Sequence, residues 1–560
     1  MKKLLALLLA LVMVLSFAAC NKPAEDPSSE PEQPSESVSE PAEEPFVAVH
    51  AERDDWNDEV KNAINALVDT YGKASENYAD PYAVFDFDNT CSIFDVEEQL
   101  AIYQLQTMSF AITPENLPEV LATDIGVADG KQDLESGRAC YSVDEVEHSY
   151  QEWIDDIEAA YKYLYEQYGP FSPAGLEEAK QAEIQADPQW AEFATKMRAM
   201  YDVVFDSESA DVAYPWILYW FTGMTEQEVY DLAYASHSFY KELETSSVTW
   251  TTPDDIKSKV GKVEYTWTSG TQVSENVKEL WKVLDENGID VWVCSASATD
   301  PIRAAIDVWG LHDYCTGMLA MTNVLEDGKY VNHYDFENGC GWLAKENGEW
   351  ERDTLPTKAQ TQGVGKTTAI VNAISPKYSN HGPIAGFMDS TGDFNFCTEF
   401  ETLKLVICFN RASRKVTDGG GLIAEIAVYE ADTLGYDFAK ADAAGDTLYV
   451  LQGREENGLR GFRNSNATMR LGTTEEKLFA DQESFDAIIK YWTDNNMSVK
   501  DAFDTFAIKT AQLQYIIDNN MTVADALNRF ALKTAADAEG NDLQLKYGFL
   551  KEYNGYHYHP

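Results

Sequence analysis

Four short apolar runs set the limits on how this chain can fold. Tyr82-Ala-Val-Phe85, Ile289-Asp-Val-Trp-Val-Cys294, Ile384-Ala-Gly-Phe-Met388 and Leu403-Lys-Leu-Val-Ile-Cys-Phe409 are each too short for a buried helix. Runs of this kind fit strands covered on both faces. Helical patterns lie between several of them, at residues 277–284 and 367–374. Another runs over 55–71, with Val60, Ile64, Leu67 and Val68 on one face. Strands alternating with helices predict an α/β fold around a parallel sheet. At 560 residues the chain has room for two or three domains.

The first run ends on Asp86-Phe-Asp88. In a strand, residues i and i+2 point to the same side. Two carboxylates there repel unless a cation lies between them or one carries a proton. A hard divalent cation with oxygen ligands answers that need.

Residues 100–270 interrupt the alternation. They are helix-patterned and rich in aromatics, including Trp153, Trp190, Trp216, Tyr219 and Trp220, and read as an inserted helical domain. The α/β core then occupies 47–99 and 271–470. Residues 471–560 form a C-terminal helical repeat region. There Asn495-Asn-Met497 through Ala511 recurs, 24 residues on, as Asn519-Asn-Met521 through Ala535, each copy fitting an N-capped helix.

The N-terminus reads as an address. Met1-Lys2-Lys3 precedes an apolar stretch too short to span a bilayer, which predicts a signal peptide over 1–19. Ala18-Ala19-Cys20 resembles a bacterial lipobox, so Cys20 is expected to carry the lipid. Residues 20–46, rich in Pro, Glu and Ser, read as a disordered tether. The expected location is outside the cytoplasmic membrane, anchored to it through the lipid on Cys20. A net charge of -53 argues against nucleic acid as a partner, because polyanion binding needs clustered Lys and Arg. The remaining cysteines, Cys91, Cys140, Cys294, Cys315, Cys340, Cys397 and Cys408, are odd in number and include no CxxC pair, which speaks against a zinc site. The sequence fixes no oligomeric state.

Asp86-Phe-Asp88-Asn-Thr90 resembles the DxDx[TV] motif of the haloacid dehalogenase-like hydrolase superfamily. Further along, Val291-Trp-Val-Cys-Ser295 resembles the second motif, and Gly365-Lys366 the third. Met388-Asp389-Ser-Thr-Gly-Asp393 resembles the fourth, with Met388 in place of the usual Gly. Together they span roughly 50–99 and 270–410. The resemblance implies a Rossmann-like parallel sheet with a helical cap and a phosphatase chemistry. Asp86 would attack phosphorus and Asp88 would act as acid and base. Ser295 and Lys366 would hold the phosphoryl oxygens. Asp389, Asp86 and the backbone carbonyl of Asp88 would bind Mg²⁺, supported by Asp393. Lys358, beside Pro356, is a rival to Lys366 but does not open a helix. Gly363-Val-Gly-Lys366-Thr-Thr is not a P-loop, since Gln360 stands where its first Gly belongs.

The substrate expected from this resemblance is a small-molecule phosphate ester. Asp95-Val-Glu-Glu98 and Ser295-Ala-Ser297 are similar to segments of bacterial phosphorylcholine phosphatases, which implies phosphocholine. Thr90, Glu97, Glu98, Ser297, Trp216 and Trp220 are the candidate substrate-binding residues, the acids supplying charge and the indoles cation–π faces. The alternatives are a broad phosphomonoesterase acting on phosphoethanolamine or phosphoserine, and a non-catalytic solute-binding lipoprotein.

Overall fold

A computed structural model describes residues 46–503, apart from 126, 129–130, 133–139, 142–146, 209, 336–340, 346, 354–356, 413–418 and 459. The expected signal peptide, Cys20, nearly all of the tether, Cys340, and the second copy of the 24-residue repeat lie outside the described residues.

The stripe Val60, Ile64, Leu67 and Val68 is buried on helix α1 (Asp58–Tyr71), which Asn57 caps by accepting from the Glu59 amide. Strand β1 (Tyr82–Phe85) is buried at every residue. Helix α2 (Val96–Thr107) leads into α3 (Tyr150–Tyr168), α4 (Pro188–Ser207) and α5 (Glu226–Lys241), then into a hairpin of β2 (Ser246–Thr251) and β3 (Glu264–Ser269). The chain returns through α6 (Glu275–Glu286), β4 (Asp290–Ala298), α7 (Thr299–Val308) and β5 (Gly317–Met321). A second hairpin, β6 (Asn323–Glu326) and β7 (Lys329–Tyr334), precedes β8 (Gly341–Ala344) and β9 (Trp350–Asp353). Then come α8 (Val364–Ala369), β10 (Ala385–Met388), β11 (Leu405–Phe409), α9 (Gly419–Tyr429) and β12 (Leu448–Gln452). A small sheet of β13 (Arg454–Glu455), β14 (Gly461–Phe462), β15 (Thr468–Met469) and β16 (Glu476–Lys477) precedes α10 (Gln482–Asp494).

The central sheet has eight strands in the order β9-β8-β5-β4-β1-β10-β11-β12. Every pairing from β5 to β12 is parallel; β8 and β9 extend one edge antiparallel. Alternate residues of the strands feed opposite layers. Ala83, Phe85, Val291 and Val293 pack with α1 and α6, and Tyr82, Val84, Trp292 and Cys294 pack with α8 and α9. The chain is thus an α/β protein built on a parallel-rich sheet. From β1 it runs outward to β4 and β5, then returns to lay β10, β11 and β12 on the other side. The order reverses beside β1, and the crevice at the carboxyl ends of such a pair is where open α/β sheets hold ligands.

Packing and pairing cross two of the expected boundaries. The helical cluster does not end at 270, because Tyr330 and Tyr334 of β7 are buried in it. Tyr330 exchanges backbone hydrogen bonds of 2.8 Å with Gly223 and Met224, and Asn323 Nδ2 donates to the Leu218 carbonyl. A two-stranded hairpin cannot cover two tyrosines alone and borrows the cluster. The core does not end at 470 either, since β15 pairs with β16 across that point. The insertion leaves and rejoins the core at one place, where Ser92 and Ile93 pair antiparallel with Val273 and Gln272. Among the described residues, Cys91, Cys294, Cys315, Cys397 and Cys408 are buried and unbridged.

Candidate active site

Asp86 follows β1 directly, and its amide still donates to the Phe387 carbonyl of β10 (3.0 Å). The strand therefore fixes the backbone from which this buried carboxylate projects. Lys366 Nζ lies 2.6 Å from Asp86 Oδ1 and 2.6 Å from Asp393 Oδ1, and Thr90 Oγ1 donates to Asp86 Oδ2 at 2.9 Å. Thr90 is thus a buried support for Asp86; it does not line the cavity as a substrate contact.

Lys366 reaches this position because α8 begins beneath the Asp389–Asp393 loop. A Cβ on Gly365 would lie 1.9 Å from the Gln360 carbonyl oxygen, so only glycine permits this approach. Lys358 takes no part in the cavity wall. Met388, at the usual glycine position, is the last residue of β10 and is buried in the core, so the loop begins one residue later.

Asp88 has different partners. Its Oδ2 accepts from Ser297 Oγ (2.6 Å) and its Oδ1 from the Val96 amide (2.7 Å). Burial, reinforced by the Asp86 charge and opposed by the Ser297 hydrogen bond, pushes its carboxyl up to about 7. Ser295 lies beside Asp88, with its Oγ donating to Asp88 Oδ2 at 3.5 Å. It is fully buried, its Oγ accepts from the Ser297 amide (3.1 Å), and Ser297 faces the cavity in its place. The cause is a register irregularity between Cys294 and Ala298 in β4, which re-aims the strand end.

Asp86, Asp389 and Asp393 each present a carboxylate oxygen within 4.8 Å of the others, and all three are buried. Burial raises the Asp86 and Asp393 carboxyls, with Lys366 opposing it. Burial lowers the Lys366 ammonium, but the Asp393 and Asp86 charges outweigh it and leave it raised. Arg411 Nη1 lies 3.0 Å from Asp389 Oδ2. Three buried aspartates converge here, and an all-oxygen donor set suits a hard divalent cation. The residues fit such an ion.

The cavity over these groups measures about 400 Å³. Its far wall comes from the helical cluster and the β2–β3 hairpin: Tyr201, Tyr214, Tyr265 and Trp267 supply the aromatic faces. Trp216 and Trp220 do not. Both are fully buried in the cluster core, packed edge to face, with Trp216 Nε1 donating to the Leu121 carbonyl. The apolar wall of a helical bundle claims its indoles first. Glu97 and Glu98 do line the cavity, each already engaged. Glu97 accepts from the Ala298 amide (2.5 Å), and burial, against that hydrogen bond, pushes its carboxyl up to about 8. Glu98 pairs at 3.2 Å with Arg198, whose guanidinium lies over the Tyr201 and Tyr265 rings. Sequence reasoning missed Arg198, Arg411 and the β3 aromatics. The alternation Tyr265-Thr-Trp267 was the available signal for the last of these.

No protein-family model and no curated protein matches the chain. A solved structure that is similar, described as a conserved functionally unknown protein from Anaerococcus prevotii DSM 20548, has a TM-score of 0.56 and 26% identity. The match covers 74% of this chain and 97% of that one. It supports the α/β fold. Another, a protein with unknown function from Bordetella pertussis Tohama I, has a TM-score of 0.25 and 12% identity over 66% of this chain and 97% of its own, too distant to bear on the fold.

Proposed function

We propose that the chain is a phosphomonoester hydrolase of the haloacid dehalogenase-like type, with the α2–β3 cluster as its cap. The observation that carries this reading is the division between two neighbouring carboxyls. Asp86 is clamped by Lys366 and Thr90, while Asp88 is held by Ser297 and the Val96 amide. Two neighbouring carboxyls given different partners suit the separate roles of nucleophile and acid.

Asp86 attacks phosphorus, its Oδ–P bond forms, and the ester P–O bond breaks. Asp88 gives its proton to the departing alcohol oxygen. The Ser297 hydroxyl can donate or accept, so Asp88 keeps its partner in both protonation states. Asp88 then takes a proton from water, which attacks the phosphorylated Asp86 and releases phosphate. Lys366 holds Asp86 and offsets charge as it builds on the phosphoryl oxygens. A divalent cation, Mg²⁺ by this reading, would be held by Asp86, Asp389 and Asp393 and would supply further charge neutralisation.

Phosphocholine is the proposed ester, with Trp267 and Asp95 of the far wall offered to its head group, since Arg198 already covers Tyr201 and Tyr265 and pairs with Glu98. The reading also keeps the enzyme outside the membrane, anchored through Cys20. The test is phosphate release from a panel of phosphomonoesters with added Mg²⁺. Activity lost in Asp86→Asn supports the assignment, and turnover unchanged in that variant refutes it. Faster hydrolysis of glycerol phosphate than of phosphocholine would remove the choline assignment.

A further inference from the structure

We propose that Arg454 is a positioning residue for the Asp88–Thr90 turn, so that the small sheet β13–β16 is part of the catalytic apparatus. The kinetic side of this inference rests on the phosphatase reading above; the structural side does not. Asn89 stands between Asp88, the acid, and Thr90, which holds the nucleophile. Its backbone is left-handed (φ 61°), an uncommon state for a residue with a side chain. Inside the turn, the amides of Thr90, Cys91 and Ser92 all converge on the Phe87 carbonyl. The Asn89 amide donates to Ser92 Oγ (3.4 Å), and none of these bonds reaches the Asn89 carbonyl or its Oδ1.

Arg454 reaches both. Its Nη1 donates to the Asn89 carbonyl (2.9 Å) and its Nη2 to Asn89 Oδ1 (3.2 Å). Its Nε and Nη2 donate to Glu456 Oε1 at 2.9 and 2.7 Å. Both residues are buried. Glu456 is itself held, with Oε2 accepting from the Leu471 amide, and the Arg454 amide donates to Thr468 Oγ1. The planar guanidinium thus couples the left-handed residue to two strands of the small sheet. A lysine could not meet two acceptors on Asn89 and one on Glu456 from a single plane. The span is short and rigid, and it ends beside the acid and the residue that clamps the nucleophile.

The test compares wild type with Arg454→Lys and Asn89→Gly. In Arg454→Lys, kcat on a phosphomonoester is expected to fall on the order of 100-fold with KM within about threefold, the mark of misplaced reacting groups. Amide exchange over residues 86–96 is expected to quicken about tenfold, while peptides from β4 and β10 keep wild-type rates. Asn89→Gly removes the Oδ1 acceptor while holding the left-handed backbone at no steric cost, and is expected to quicken the same segment less, which keeps the test decisive if Arg454→Lys does not fold. Wild-type kcat and exchange in both variants, or exchange rising equally throughout the sheet, would overturn the inference. If wild-type protein released no phosphate from any ester, the phosphatase reading would fall, and the exchange rates alone would decide the role of Arg454.

Discussion

Asp86 and Asp88 lie two residues apart and answer to different neighbours. For Asp88 this predicts a loss graded by leaving group. Asp88→Asn should slow hydrolysis of an alkyl phosphate by about 10²- to 10⁴-fold, and slow p-nitrophenyl phosphate much less, because nitrophenolate leaves without a proton. Steady-state rates on the two esters check it. A second titratable group acts on stability. His237 is buried, with Nε2 3.0 Å from the Pro301 carbonyl and the ring near Trp309. Burial, opposed by that carbonyl, lowers its pKa from 6.5 to about 4. The unfolded chain therefore takes up this proton before the folded one does. The share of stability that His237 contributes should be level above pH 6.5 and fall as pH drops toward 4, while the raised Asp88 and Glu97 carboxyls act in the opposite sense, so the difference between wild type and His237→Gln isolates it. Melting temperatures across that window test it. The acids at the site were legible in sequence because carboxylates at a buried strand end demand a partner. Arg411 and Arg454 were not, since an arginine following a strand looks the same whether it meets solvent or a catalytic loop.

Among elements, the loop joining β2 to β3 is tied down by a buried charge knot. Lys196 Nζ on α4 meets Asp156, Glu192 and Ser258, and Asp156 also accepts from the Lys259 and Val260 amides. Lys196→Met would leave two carboxylates buried without a cation, and is expected to cost about 3–5 kcal/mol in urea unfolding. The aromatic residues divide by element as well. Trp220→Ala should cost about 3–5 kcal/mol of stability and leave KM little changed. Trp267→Ala should raise KM while costing less stability. Paired unfolding and kinetic measurements separate the two. β1, β4, β10 and β11 were readable as apolar runs, and α1 and α6 from their apolar stripes. β5, Gly317-Met-Leu-Ala-Met321, was not, because its residues carry little strand propensity and only burial between β4 and β8 makes it one. The two-residue strands of the small sheet are too short to show any period.

At the scale of the whole molecule, the convergence of Asp86, Asp389 and Asp393 links folding to divalent cations. Mg²⁺ at 100 times its Kd should stabilise the fold by about 2.7 kcal/mol. Asp389→Asn should abolish most of that thermal shift. A wild-type melting temperature indifferent to Mg²⁺ would count against the cluster as a cation site.

The paired crossings at Ser92–Ile93 and Gln272–Val273 carry a consequence for how such a protein can change. Neighbouring strands lie about 4.8 Å apart, so the insertion begins and ends at almost one point in space. A tight turn could close that gap. The helical cluster could then be shortened, exchanged or deleted without rethreading the sheet, while the aspartates and Lys366, all outside the insertion, kept their places. The β6–β7 hairpin would have to change with it, because Tyr330 and Tyr334 would lose their cover. On the proposed phosphatase reading, the wall facing the substrate is then replaceable without disturbing the aspartates, provided both pieces of that wall are traded together.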